Sequence, residues 1–139
     1  MKRGDVEGAA AVRRAIITHA RRESPNECCG FLLGRSREIL YAVPMRNVAG
    51  SPTRFRIDDR EHIALRRALR PIAPALEIVG VYHSHPKGDP VASPTDVAEA
   101  MYPRWVHVII GLRGGRARVQ AFRIAKGRAR ALEISWRAQ

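Results

Sequence analysis

Val79–Asp96 reads V-G-V-Y-H-S-H-P-K-G-D-P-V-A-S-P-T-D. Residues 76–83, which lead into it, are almost wholly apolar, the pattern of a central strand covered on both faces. Pro86, Gly88 and Pro90 break that strand into a loop. Ser93-Pro94-Thr95-Asp96 then restarts the chain as a helix, with Ser at the N-cap, Pro at the first helical position and an acid at N3. Strand, loop and helix in quick succession set the fold class as α/β.

Working outward, Val6, Ala9, Val12, Ile16 and Ala20 recur every three to four residues and predict an amphipathic helix over 6–22. Ser24-Pro25-Asn26 ends it, and 27–34 reads as a buried strand closed by Gly34. A strand over 37–43, a loop over 44–52 and a short strand over 54–57 follow. Asp58 or Asp59 caps a second helix whose stripe is Leu65, Leu69, Ile72 and Leu76, with Pro71 and Pro74 marking its end. Beyond the quoted stretch, a helix over 94–102 stops at Pro103, and strands are expected over 105–112, 116–124 and 130–136. The order α-β-β-β-α-β-α-β-β-β predicts one curved, mixed β-sheet flanked by helices.

The 139 residues, 45% hydrophobic and 27% charged, read as one soluble domain spanning 1–139. No run has the length of a membrane span, and the basic N-terminus lacks the apolar core of a signal peptide, so the expected location is cytoplasmic. The net charge of +12 comes from arginines spread along the whole chain; Lys2, Lys87 and Lys126 are the only lysines. A nucleic-acid binder would cluster basic residues on one element among aromatics, so that reading, with a metal kept for structure alone, ranks second. A solvated surface, or long-range steering of an acidic partner, accounts for the charge. Cys28 and Cys29 are adjacent, which disfavours a disulfide between them; on a strand they face opposite sides, so one is expected in the core. His19 and His62 fall on helices and are expected at the surface. His107 lies in a strand, either in the core or beside a site, and Asn47, Ser51 and Thr53 are loop residues that could meet a substrate.

The chemistry concentrates in the quoted stretch. His83 and His85 are two apart, so on a strand both imidazoles leave from one face while Ser84 leaves from the other. Asp96 sits on the first turn of the helix, and the intervening loop is long enough to fold that turn against the strand end. Two histidines, a carboxylate and an open fourth position form a standard catalytic zinc set. Amide hydrolysis also needs a group that takes a proton from water and passes it to the leaving amine. Glu27 heads an apolar strand, where a carboxylate gains nothing unless it has such work. Ser93, besides capping the helix, has a hydroxyl that could steady a developing oxyanion.

Glu27, then His83-Ser84-His85, seven residues, and Ser93-x-x-Asp96 together resemble the motif of the JAMM (MPN-plus) zinc metalloproteases. The segments E-C-C-G-F-L-L-G (27–34) and G-V-Y-H-S-H-P (80–86) are similar to the short, stand-alone prokaryotic members, and the likeness runs from about Val12 to Ile134. The resemblance implies a cytidine-deaminase-like α/β fold and one catalytic Zn2+ on His83, His85 and Asp96. It implies Glu27 as general base and acid, and Ser93 as the residue that steadies the tetrahedral intermediate. Deaminase chemistry itself is not implied, because H-x-E and P-C-x-x-C are absent. The expected substrate is the amide or isopeptide bond after the C-terminal Gly-Gly of a small ubiquitin-like or sulfur-carrier protein, with release of a lysine side chain or of an amino acid such as cysteine. An acidic carrier would suit the +12 surface. A small-peptide or small-amide hydrolase is the alternative within the enzyme class, and a homodimer stays open.

Overall fold

The computed structural model describes residues 5–138. Its elements are β1 (Val6–Ala9), α1 (Ala10–Glu23), β2 (Cys29–Arg35), β3 (Glu38–Met45), α2 (Asp59–Leu69), β4 (Glu77–His85), α3 (Pro94–Glu99), β5 (Val106–Gly111), β6 (Arg118–Ala125), β7 (Arg128–Leu132) and β8 (Ile134–Arg137). The strands form one sheet in the order β7-β6-β5-β4-β2-β3-β1-β8. It is mixed: β4–β5, β1–β3 and β1–β8 pair in parallel, the other neighbours antiparallel. This is the α/β class with a curved mixed sheet that the element order predicts. No described helix is long and apolar enough to cross a membrane.

β4 lies at the centre, between β2 and β5, and Gly80–Ser84 are all buried. Its two faces have different neighbours. On one face α1 packs Val12, Ile16 and Ala20 against Leu32, Val108 and Ile110. Full burial of each such Ile or Leu contributes about 1.5–3 kcal/mol. On the opposite face a smaller cluster of Ile109, Phe122 and Ile124 receives Ala92, Val97 and Ala100 from the loop and helix after β4. His83 and His85 belong to this second face.

Five expectations are corrected. The helix expected from residue 6 begins only at Ala10, because Val6–Ala9 pairs as a parallel strand with β8 and β3. A three-to-four spacing over four residues cannot show that distant partners compete for them. The strand expected over 54–57 does not form: the Asn47 side chain bonds the backbone of Ala49, Arg54 and Arg56, and takes the place of a ladder. The helix from residue 94 stops at Glu99, not at Tyr102. The last expected strand is two strands, β7 and β8, meeting opposite edges of the sheet order. In α2 the expected stripe is also short, since Leu69 is buried but Ile72 is 48% exposed.

The cysteine pair, His19 and His62 also differ from expectation. Cys28 and Cys29 are both buried as free thiols, because β2 is covered on both faces; burial pushes them up to about 11 and about 12 respectively, so they stay protonated. His19 is buried, not at the surface: it lies seven residues after Val12, on the core stripe, and its Nδ1 shares a hydrogen bond with the Tyr82 hydroxyl at 2.7 Å. Burial holds His19 below its usual value, which favours the neutral ring in the core. His62 is half-buried, between Phe31, Tyr102 and Trp105.

Gly111 is where the fold fixes the position of the loop after β4. A Cβ there would lie 2.6 Å from the Pro90 nitrogen and 2.8 Å from the Asp89 carbonyl carbon, so only glycine lets the loop lie on β5. Gly111→Ala is expected to push residues 89–90 outward, lower metal affinity by about tenfold through His85, and leave the far-UV circular dichroism unchanged. Isothermal titration with zinc checks this.

Candidate metal centre

The ends of β4 and α3 bring three candidate ligands together. His83 Nε2 lies 3.2 Å from His85 Nε2 and 3.1 Å from Asp96 Oδ1, and His85 Nε2 lies 3.1 Å from Asp96 Oδ2. Two ligands held at about 2.0–2.1 Å by one tetrahedral ion stand roughly 3.3 Å apart, so the cradle already has the spacing of a zinc site. His85 Nδ1 is 2.9 Å from the Asp89 carbonyl, which can only accept, so Nδ1 carries a proton and Nε2 is the nitrogen that neutral His85 would turn to a cation. Convergent lone pairs from two imidazoles and a carboxylate fit a cation, and these three residues could hold one.

Each candidate ligand is placed by local structure. Ser93 and Asp96 form a capping box: Asp96 N donates to Ser93 Oγ at 3.0 Å and Ser93 N donates to Asp96 Oδ2 at 2.9 Å. The cap that starts α3 therefore also orients the carboxylate. His83 is 1% exposed, and the Phe55 ring stacks on it with centroids 4.5 Å apart. Burial pushes Asp96 up, but hydrogen bonds from His83 and His85 outweigh it and hold the carboxyl well below its usual range. Burial lowers His83; in His85 the bonds to Asp96 and to the Asp89 carbonyl overcome burial and raise it.

Glu27 stands just before β2. Cys29 pairs with His83, which brings Glu27 level with His85 on the same face. Its main chain is tied on both sides by the loop after β3: Glu27 N donates to Ser51 O at 2.9 Å, and Asn47 Nδ2 donates to Glu27 O at 3.0 Å. Its side chain is free to face the cradle. Glu27 is 4% exposed, and its Oε1 is buried without a hydrogen-bond partner among the described residues. Burial pushes its carboxyl up to about 8, a cost that His85 eases and Asp96 and Glu99 add to. A buried acid that is unsatisfied and half neutral near pH 8 suits proton transfer.

All five residues singled out in the sequence thus gather at one end of β4. Ser84 points away from them and accepts from Cys28 N at 2.8 Å. His107 lies on the same face as His83, buried and with Nε2 unpartnered among the described residues; burial and the neighbouring His83 push it down to about 4. Phe55, which the sequence places in the expected 54–57 strand with no role at the site, was missed; an aromatic alternating with Arg54 and Arg56 was a signal for an inward anchor. Asn47 organises that loop instead of facing outward, whereas Thr53 is exposed.

A model described as prokaryotic homologs of the JAB domain matches residues 9–125. The chain belongs to that family. Among curated relatives of this JAB-domain chain is the desampylase of Haloferax volcanii, 38% identical over 73% of this chain and 76% of its own length. A probable TtuB-protein conjugate cleaving protease of Thermus thermophilus is 38% identical over 84% and 74%. The CysO-cysteine peptidase of Mycobacterium tuberculosis is 35% identical over 81% and 78%. Among solved structures, a protein from Desulfitobacterium hafniense superposes with a TM-score of 0.85 at 27% identity, covering 96% of this chain and 94% of that one. A JAB1/MPN domain protein from Archaeoglobus fulgidus shares the fold at a TM-score of 0.60, with 16% identity over 94% and 98%. The JAB-domain chain is accordingly a hydrolytic enzyme of the metalloprotease type.

Proposed function

We propose that the chain is a zinc-dependent peptidase that cuts the amide or isopeptide bond after the C-terminal Gly-Gly of a small ubiquitin-like or sulfur-carrier protein in the cytoplasm. The observation that carries the reading is the convergence of His83, His85 and Asp96 beside the buried, unpartnered carboxyl of Glu27. The names of the three curated relatives support the class of substrate, since each refers to cleavage of a protein conjugate or carrier adduct.

In this reading His83, His85 and Asp96 hold one zinc ion, which supplies a Lewis acid for the scissile carbonyl and for water. Glu27 takes the proton of the attacking water on its carboxylate and returns it to the leaving nitrogen. The surroundings of Glu27 favour both halves of that transfer. Burial makes it basic enough to accept the proton, and the partnerless Oε1 leaves an oxygen free to hold it. Ser93 Oγ already accepts from Asp96 N, so its hydroxyl hydrogen is free to donate to the oxyanion that forms on the carbonyl. Asn47 and the Ser51 carbonyl keep Glu27 from swinging away, and Phe55 shields His83 from solvent.

Ser93→Ala is expected to lower kcat by about 10²-fold with little change in KM, the cost of one oxyanion donor, and to destabilise by about 1 kcal/mol through the lost cap. Ser93→Thr keeps an oxygen at the cap and is expected to restore the stability, as a thermal melt would show. The substrate assignment is tested by incubating the zinc-loaded protein with sulfur-carrier adducts and with lysine-linked conjugates, followed by mass spectrometry of the products. Cleavage after Gly-Gly supports it. Cleavage of unrelated short peptides, with carrier adducts left intact, would replace it with a small-peptide hydrolase.

A further inference from the structure

The row of residues that crosses the sheet through His85 continues beyond it. His85 pairs with Gly111, and Gly111 pairs with Arg118, so the three stand side by side on the face that carries the metal ligands. At about 4.8 Å per strand spacing, the Arg118 backbone is roughly 10 Å from that of His85. Because Gly111 has no side chain, the loop after β4 fills the space between them. Against that loop lies a cleft of about 90 Å³ lined by Asp89, Gly111, Arg113, Arg116 and Arg118. Liquid water occupies about 30 Å³ per molecule, so the cleft has room for a carboxylate and a water or two.

Its charge is unbalanced. Arg113 pairs with Asp89 at 3.1 Å, while Arg116 and Arg118 have no acid partner among the described residues. Both side chains are exposed, so their guanidinium groups keep their donors for a ligand. Guanidinium forks recognise carboxylates through paired, charge-assisted hydrogen bonds. The cleft is also tied to the metal ligands, because the carbonyl of Asp89 holds His85 Nδ1 while its carboxylate holds Arg113.

We infer that the Arg113–Arg116–Arg118 cleft is a carboxylate-binding subsite beside the metal centre, which seats a carboxylate of the conjugate while its amide bond is cut. The inference rests on the proposed conjugate-cleaving activity and names a determinant of its specificity. The carboxylate has two possible sources in one substrate. It is either the α-carboxylate of an amino acid attached to the carrier, or an acidic side chain on the carrier's own surface.

Two conjugates separate them, one ending in Gly-Gly followed by an amino acid with a free carboxylate, the other identical but for a C-terminal carboxamide. Wild type and Arg116→Gln/Arg118→Gln are compared, with Arg128→Gln on β7 as a control for loss of surface charge. For an α-carboxylate, wild-type KM is expected to be about tenfold lower for the acid than for the amide, and the double variant to erase the difference. For an acidic carrier surface, the double variant raises KM for both conjugates alike, by about tenfold at low salt, and Arg128→Gln does not. Unchanged KM for both conjugates in the double variant would overturn the subsite. If wild type cleaves neither conjugate, the conjugate-cleaving reading fails, and the cleft is still read by titrating acetate while following the arginine Nε–H resonances. Saturable shifts at Arg116 and Arg118 then support it, and their absence overturns it.

Discussion

Glu27→Gln is expected to bind zinc as the wild type does and to lose hydrolysis by about 10³-fold, within the range that general acid–base catalysis supplies. The amide keeps the size of the side chain and cannot carry the proton. KM should move little, because Glu27 is buried and offers no broad surface to a carrier protein. The pH profile has a definite sign. As base, Glu27 must be ionised, so kcat/KM rises with pH through its pKa, which burial pushes up to about 8 in the metal-free chain. A bound cation favours the carboxylate, so in the zinc-loaded enzyme the rise comes below pH 8. The same group sets a stability signature that needs no substrate. Its folded value lies above the ordinary 4.5, so the folded state prefers the neutral acid. Stability is therefore lost as pH climbs from about 4.5 through about 8, and the penalty is complete above that. Metal-free Glu27→Gln should melt with the wild type near pH 4.5 and several degrees above it at pH 9, a difference of up to about 5 kcal/mol. Equal melting curves at pH 9 would remove the buried, unsatisfied carboxyl from the account.

Removing a ligand should be nearly as severe. Asp96→Ala is expected to abolish stoichiometric zinc binding and to reduce activity to background, since two imidazoles alone leave the set incomplete. It should also cost about 1–2 kcal/mol in the metal-free protein, because Asp96 is half of the capping box that starts α3. His83→Ala separates the two effects: it takes away a ligand and leaves the cap, but opens a buried space under Phe55. Metal analysis of both variants, beside their metal-free melting temperatures, distinguishes lost coordination from lost folding.

Most of the centre was legible in the sequence because its parts are local. The alternation of a strand puts His83 and His85 on one face, and the Ser-Pro-x-Asp start of a helix needs nothing beyond its own residues. What makes Glu27 notable is tertiary. Its burial depends on Asn47 and Ser51 gripping its main chain, which no pattern within β2 reveals. The misread elements have the same origin. Val6–Ala9 carries a helical spacing but is claimed by β3 and β8, partners more than thirty and more than a hundred residues away. Residues 54–57 look like a strand until the Asn47 side chain takes their backbone bonds and turns Phe55 onto His83. His19 was legible in principle, since it lies on the core stripe of α1. Its surface assignment weighed polarity over position, and the Tyr82 hydroxyl meets that polarity inside the core.

The most direct test of the central claim is a zinc titration of the chelator-stripped protein, read out as the mass of the group released from a carrier conjugate. Release should be absent without metal, rise linearly with added zinc and level off at one equivalent per chain. Release at full rate from stripped protein, or a plateau that needs no zinc, would contradict the account.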